Sequence, residues 1–254
     1  MVFILVLIYS ILFSATSYSG TISPSTDDTK HIEFGSKFKY VLKIIGQYQN
    51  DDLFFGSAVA ISPNYILTAA HIVDKSKGCF IDYNNKVYSV NKVIQHPNFK
   101  NNDFDCNDIA ILILDNSLDL DIYPKLYNTN DEVGRICYMS GFGLTGDFNT
   151  GFHKDDGKRR AGSNIIDKIE KNMLICSPSL ESDKTELEFL IAGGDSGGGL
   201  FINNKLAGIN SCLFARDKKG DASYGDESGH TRISYHIEWI ENTIKETQNA
   251  QKKK

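Results

Sequence analysis

From residue 38 onward the chain alternates short β-prone runs with turn residues, and this rhythm limits the fold more than any other feature. Tyr40–Ile45 ends at Gly46, and Ala58–Ile61 is stopped by Ser62-Pro63-Asn64 before Tyr65–Thr68. Asn84-Asn85 separates Phe80–Tyr83 from Lys86–Val90, which is a hairpin signal. Ile109–Leu114 is wholly apolar and of strand length, and similar runs follow at Ile136–Ser140, Leu200–Ile202 and Leu206–Ile209. Many short strands predict an all-β barrel or sandwich. One helix stands out at the C-terminal end. There Ile237, Ile240 and Ile244 fall at helical spacing beside Trp239, with Ser234 as an N-cap. Residues 144–164 and 217–229, rich in glycine and charge, read as long exposed loops.

A length of 254 residues suits one domain or two small lobes and is ample for a buried core. The net charge of −5 gives no electrostatic reason to expect nucleic acid or an anionic membrane as partner. Val2–Phe13 is almost unbroken apolar sequence, followed by the mostly small residues Ser14–Gly20. That run is shorter than the roughly 20 residues of a membrane span. It predicts a secretory signal over residues 1–19, cut after Ser19, although no Lys or Arg precedes it. The expected location is extracellular, or periplasmic in a bacterium. Five cysteines (Cys79, Cys106, Cys137, Cys176, Cys212) fit an oxidising compartment where disulfides form, and their odd number leaves at least one outside any internal pairing. None forms a CxxC pair, so no zinc site is expected.

Three segments carry chemistry. Gly193-Gly194-Asp195-Ser196-Gly197-Gly198-Gly199 sets a serine among glycines, which allow a tight exposed turn and leave backbone N–H groups free for an oxyanion. Leu67-Thr68-Ala69-Ala70-His71 brings a histidine behind small residues, and an imidazole of reference pKa about 6.5 can take a serine proton at neutral pH. Asn107-Asp108 heads the apolar run from Ile109, where a partly desolvated carboxylate needs a donor such as an imidazole N–H. Each segment alone has a bland alternative: a Gly-rich turn, a structural histidine, a turn-capping aspartate. Together they point to nucleophilic acyl transfer.

In this order the segments resemble the chymotrypsin/trypsin family of serine proteases. The resemblance runs from about residue 38 to 245. It takes in Gly56–Ser62 ahead of the histidine, His96-Pro97-Asn98-Phe99, Cys137–Gly143, Leu206–Ser211, and Gly229–Ser234 with Trp239-Ile240. It implies an all-β fold of two six-stranded antiparallel β-barrels, dividing near residue 128, with a C-terminal α-helix. It also implies a secreted serine endopeptidase with His71, Asp108 and Ser196 as its catalytic triad. Gly194 and Ser196 would supply the oxyanion hole, Ser211 would support the aspartate, and His96 would be structural. The runner-up is a catalytically inactive homologue serving as a binding or regulatory module. Protein or peptide substrates, a monomer, and no metal, cofactor or stable membrane association are expected.

Departures from the family pattern matter. Ile72 follows the histidine where a cysteine is usual, and Ile202 stands at the usual partner position of Cys137, so the family's disulfides do not carry over. The specificity pocket would be formed by Leu190 at its floor with Leu213 and His230, which argues against cleavage after Arg or Lys and for an apolar preference. Asp195 would accept a zymogen salt bridge from a new N-terminus. Cleavage at Lys30 or beside it would release a propeptide of residues 20–31 and leave a peptidase domain over 32–246, with a polar tail at 247–254.

Overall fold

The computed structural model describes residues 20–101, 107–154, 156–216 and 218–252. The expected signal at 1–19 and Cys106 lie outside the described residues. The chain opens with a short strand β1 (Thr21–Ile22) and helix α1 (Asp28–Gly35). Strands β2 (Val41–Tyr48), β3 (Leu53–Ala60) and β4 (Tyr65–Thr68) follow, then one turn of helix, α2 (Ala70–Val73). Next come β5 (Ser76–Tyr83), β6 (Lys86–Gln95) and β7 (Ala110–Leu114). These six strands, β2 to β7, close an antiparallel barrel in the order β2-β3-β4-β7-β6-β5.

Local chemistry accounts for the barrel. Asn84 and Asn85 adopt φ of 50° and 59°, the left-handed pair that a two-residue β5–β6 hairpin demands and that asparagine tolerates. β7 is buried along its whole length because it lies between β4 and β6 with the barrel core beneath it. Leu42, Ile44, Ile66, Leu67, Ile81, Ile111 and Leu112 meet in that core with no solvent exposure. Truncating one of them, Leu112→Ala for example, costs about 2–5 kcal/mol.

The second half contains β8 (Ile136–Gly141), β9 (Thr145–Asp147), β10 (Gly151–Lys154), β11 (Arg160–Ile165), β12 (Lys168–Glu170) and β13 (Met173–Cys176). It continues with β14 (Phe189–Leu190), β15 (Gly199–Ile202), β16 (Lys205–Ala215), β17 (Asp226–Arg232) and helix α3 (Ile233–Lys252). Seven strands pair in the order β11-β8-β15-β16-β17-β13-β12, a curled sheet that forms the second barrel-like lobe, so the expected fold of two β-barrels with a C-terminal helix is found. A smaller sheet, β10-β9-β1-β14, lies with it.

Several sequence expectations change. Residues 144–164 hold β9, β10 and most of β11, not a single exposed loop. Their charge misled the reading: Arg160 is 1% exposed, and its guanidinium is paired with both Asp28 and Asp156. The expected loop over 217–229 ends early, since β17 begins at Asp226. α3 begins at Ile233, so Ser234 is not its cap; the Ser234 hydroxyl donates to Glu132 Oε1 at 2.6 Å. The same helix continues to Lys252 through most of the expected tail.

The segment expected as a propeptide, residues 20–31, is built into the body. β1 lies between β9 and β14, pairing Thr21 with Leu190 and with Gly146. Asp28 accepts two hydrogen bonds from Arg160, both at 2.6 Å. His31 is fully buried, and its Nδ1–H donates to the Ala161 carbonyl at 3.1 Å. The Lys30–His31 bond lies within α1, with Lys30 exposed and His31 buried.

Candidate active site

β4 delivers the histidine. The strand ends at Thr68, and α2 begins two residues later, which turns the His71 ring out of the barrel wall with its side chain 29% exposed. Asp108, just ahead of β7, is 3% exposed and faces it. The His71 backbone N–H donates to Asp108 Oδ1 at 2.9 Å. The ring Nδ1 lies 2.7 Å from Oδ2, and because an ionised carboxylate only accepts, Nδ1 carries the proton and Nε2 faces outward as a base. Ser211, on β16, donates its hydroxyl to the same Oδ2 at 2.6 Å. Burial is the strongest single influence on Asp108 and opposes its charge. The hydrogen bonds from His71 and Ser211, with the imidazole charge, outweigh burial and hold the carboxyl below its ordinary pKa.

The serine segment lies between β14 and β15. Gly194 and Gly197 have φ of 92° and 85°, in the left-handed region that favours glycine. A Cβ on Gly194 would stand 2.9 Å from Gly143 Cα, and one on Gly197 would overlap the Ser57 carbonyl. Asp195 is fully buried, with Oδ1 accepting from the Gly143 N–H at 2.8 Å and Oδ2 from the Ala192 N–H at 2.9 Å. Neither the Gly194 nor the Ser196 N–H is engaged by an acceptor among the described residues, which leaves both donors expected for the oxyanion available. The Ser196 hydroxyl donates to the Ser211 carbonyl at 3.4 Å, a long bond.

Ser57 was not singled out from the sequence. Its hydroxyl donates to the Gly194 carbonyl at 2.9 Å and accepts from the Phe142 N–H at 2.9 Å, so one side chain on β3 fixes both edges of the serine turn. Asn210 was likewise missed, and its side-chain N–H groups reach the carbonyls of Ser140 and Asp195, each at 3.2 Å. Each lies in a segment noted for other reasons, and no local signal marks a hydroxyl or amide whose partners are 85 and 70 residues away.

The expected specificity residues are not all brought together. Leu190 is unexposed and packs with Phe148, Ala192 and Ala222, and Leu213 closes on the same cluster. His230 does not line it. The ring is fully buried, with Nδ1 donating to Asn210 Oδ1 at 3.0 Å and Nε2 accepting from the Ser228 hydroxyl at 2.9 Å. Burial pushes its pKa down to about 3, so it is a neutral structural residue. Open space lies on the other side of the site, in a crevice of 430 Å³ lined by Tyr48, Gln49, Asn50, His71, Asp74, Lys75 and Asn101. His96 is edge-on to the rings of His236 and Trp239, in keeping with a structural role. Among the described residues no cluster of three or more His, Cys, Asp or Glu could hold a metal, and no helix is long and apolar enough to cross a membrane.

Comparison with known proteins bears on the family and the fold. Brachyurin of Leptuca pugilator is 28% identical over 75% of this chain and 88% of its own. Trypsin of Squalus acanthias is 24% identical over 80% and 96%. Among solved structures, HL collagenase superposes with a TM-score of 0.67 at 18% identity, covering 82% of this chain and 94% of that one. Neuropsin from mouse brain gives 0.64 at 22%, covering 82% and 95%; at such identities the likeness is one of fold. The family model described as Trypsin matches residues 36–240, so the chain belongs to the family of chymotrypsin/trypsin-like serine proteases.

Proposed function

We propose that the protein is a secreted serine endopeptidase that cleaves proteins or peptides through Ser196, His71 and Asp108. The observation that carries this reading is the grip on Asp108: two N–H groups of His71 and the Ser211 hydroxyl converge on one buried carboxylate, opposite a serine on a glycine turn. With Nδ1–H committed to Asp108, Nε2 is the base. Rotation about the Ser196 Cα–Cβ bond moves the hydroxyl from the Ser211 carbonyl toward Nε2, a change available to a half-buried side chain and of the kind that substrate induces. Ser196 Oγ then attacks the scissile carbonyl, and His71 takes the proton and returns it to the leaving amine. The oxyanion is received by the N–H groups of Gly194 and Ser196, each worth about 3 kcal/mol of barrier. Water, activated by His71, hydrolyses the acyl-enzyme.

The apolar wall of Leu190 and Leu213 supports a preference for apolar residues before the cleaved bond and gives Arg or Lys no counter-charge. Secretion rests on the apolar leader. The integration of Gly20–His31 supports a mature chain that starts at Gly20 and acts as a monomer without a second cut, with Asp195 held by the backbone of Gly143 and Ala192. The test is casein hydrolysis by secreted protein, with its N-terminal sequence determined and a serine-reactive inhibitor as control. Inhibitor-sensitive hydrolysis by a chain beginning at Gly20 supports the reading. Hydrolysis appearing only after cleavage at Lys30 would overturn its processing part, and no hydrolysis in either form would favour an inactive homologue.

A further inference from the structure

Cys137, on β8, and Cys176, at the end of β13, are both fully buried, and their sulfurs are 3.8 Å apart. In the seven-stranded sheet these strands are separated by β15, β16 and β17. Four strand intervals span about 19 Å in a flat sheet, at about 4.8 Å each. The sulfurs meet only because the sheet curls round until β13 faces β8 across the lobe's core, where Met139, Leu174 and Leu200 also lie. No backbone ladder joins β8 to β13, so this contact is a closure made by side chains.

We infer that Cys137 and Cys176 form a disulfide in the mature protein, a covalent closure of the second lobe. Sulfurs in van der Waals contact need only modest side-chain rotation to reach the bonded distance of about 2.05 Å. Cys79 lies in the first barrel's core and Cys212 packs with Met173 and Ile175, and neither has another sulfur as a partner among the described residues. The step is thiol–disulfide exchange with a disulfide oxidant such as glutathione disulfide. The two thiols give up two protons and two electrons, the Cys137–Cys176 bond forms, the oxidant's S–S bond breaks, and two oxidant thiols leave. The neighbouring Cys137 sulfur and burial raise the Cys176 thiol pKa well above its ordinary value, so Cys176 does not react readily once the lobe is folded. Oxidation therefore accompanies folding, and the finished bond is shielded from reductants.

The bond ties together two working parts of the lobe. β8 leads directly into Phe142 and Gly143, whose N–H groups bond Ser57 and Asp195 behind the serine turn. β13 leads into the segment 177–188 that returns to β14. The inference rests on the secretion reading only for where oxidation would occur, and its test is independent of proteolytic activity.

The experiment refolds residues 20–254 in a buffer of reduced and oxidised glutathione, then denatures and alkylates without reductant and maps the digested peptides by mass. The expected result is a linked peptide pair containing Cys137 and Cys176, two hydrogens lighter than the sum of the thiol forms and absent after reduction. The oxidised protein should melt about 8–16 °C above the reduced one, as closure of a loop of this length implies. A Cys137→Ala/Cys176→Ala double variant should show no such dependence on oxidant. Full alkylation of both cysteines after equilibration with glutathione disulfide, or linkage of either one to Cys79, Cys106 or Cys212, overturns the inference. These outcomes are read on the wild-type chain, so they stand even where a variant does not fold.

Discussion

The two walls of the site are built to different degrees of readiness. The wall from the first barrel holds His71 and Asp108 in a network whose donors, distances and tautomer already suit proton transfer. The wall from the second lobe has its serine hydroxyl on the Ser211 carbonyl by a long bond and carries the apolar cluster of Leu190 and Leu213. A buried carboxylate has to be satisfied whether or not substrate is present, so its partners are fixed in the resting protein. A half-buried hydroxyl and an apolar wall carry no such demand, and substrate can set them at small cost.

The largest effect should come from breaking the relay. Asp108→Asn keeps the shape but reverses the hydrogen-bond demand on Nδ1, and kcat should fall by about 10⁴ with little change in circular dichroism. On the opposite wall, Leu213→Ala should raise kcat/KM for substrates with a bulky apolar residue before the cleaved bond, relative to alanine there, by about 10–100-fold in a peptide series. Ser57→Ala leaves the Gly194 carbonyl and the Phe142 N–H without their partner. A loss of about tenfold in kcat is expected, since an orphaned buried group costs about 1–3 kcal/mol.

The smallest effect concerns pH and comes from two buried histidines, His31 and His230. Burial lowers His31 to about 4 and His230 to about 3. Below about 6.5 the unfolded chain binds these protons while the folded chain does not, so stability is fully present above that pH and declines as pH falls through the window toward 4 and then 3. The two together give a slope of up to about 2.7 kcal/mol per pH unit between pH 6 and 4.5. Urea midpoints across that range should show it, and His230→Gln should remove about half. An unchanged slope in that variant would contradict the buried, neutral assignment.

The residues proposed as catalytic are legible because each carries a local mark. Ser196 stands among glycines that the turn requires, Asp108 heads an apolar strand, and His71 follows a strand through small residues. The closed barrel was legible for the same reason, since Asn84-Asn85 and the run Ile109–Leu114 act over short range. What was missed depends on partners far along the chain. Residues 20–35 have no periodic pattern, and they are held by Asp28 on Arg160, 132 positions away, and by β1 on Leu190. Arg160 itself read as loop because its two counter-charges were not foreseeable. The β12–β13 hairpin turns on Lys171 and Asn172 at φ of 49° and 59°, and lysine does not signal such a turn. His230 was placed in the pocket by resemblance, whereas the neighbouring Asn210 and Ser228 draw its ring into the core.

The central claim is that Ser196 is a nucleophile activated by the His71–Asp108 relay. Its most direct measurement is the rate and position of labelling by a fluorophosphonate on protein beginning at Gly20, with the adduct located by mass. The account predicts one adduct per chain on Ser196, lost in Ser196→Ala and slowed by orders of magnitude in Asp108→Asn. An adduct on another residue, equal labelling of Ser196→Ala, or no adduct on folded wild-type protein would contradict it.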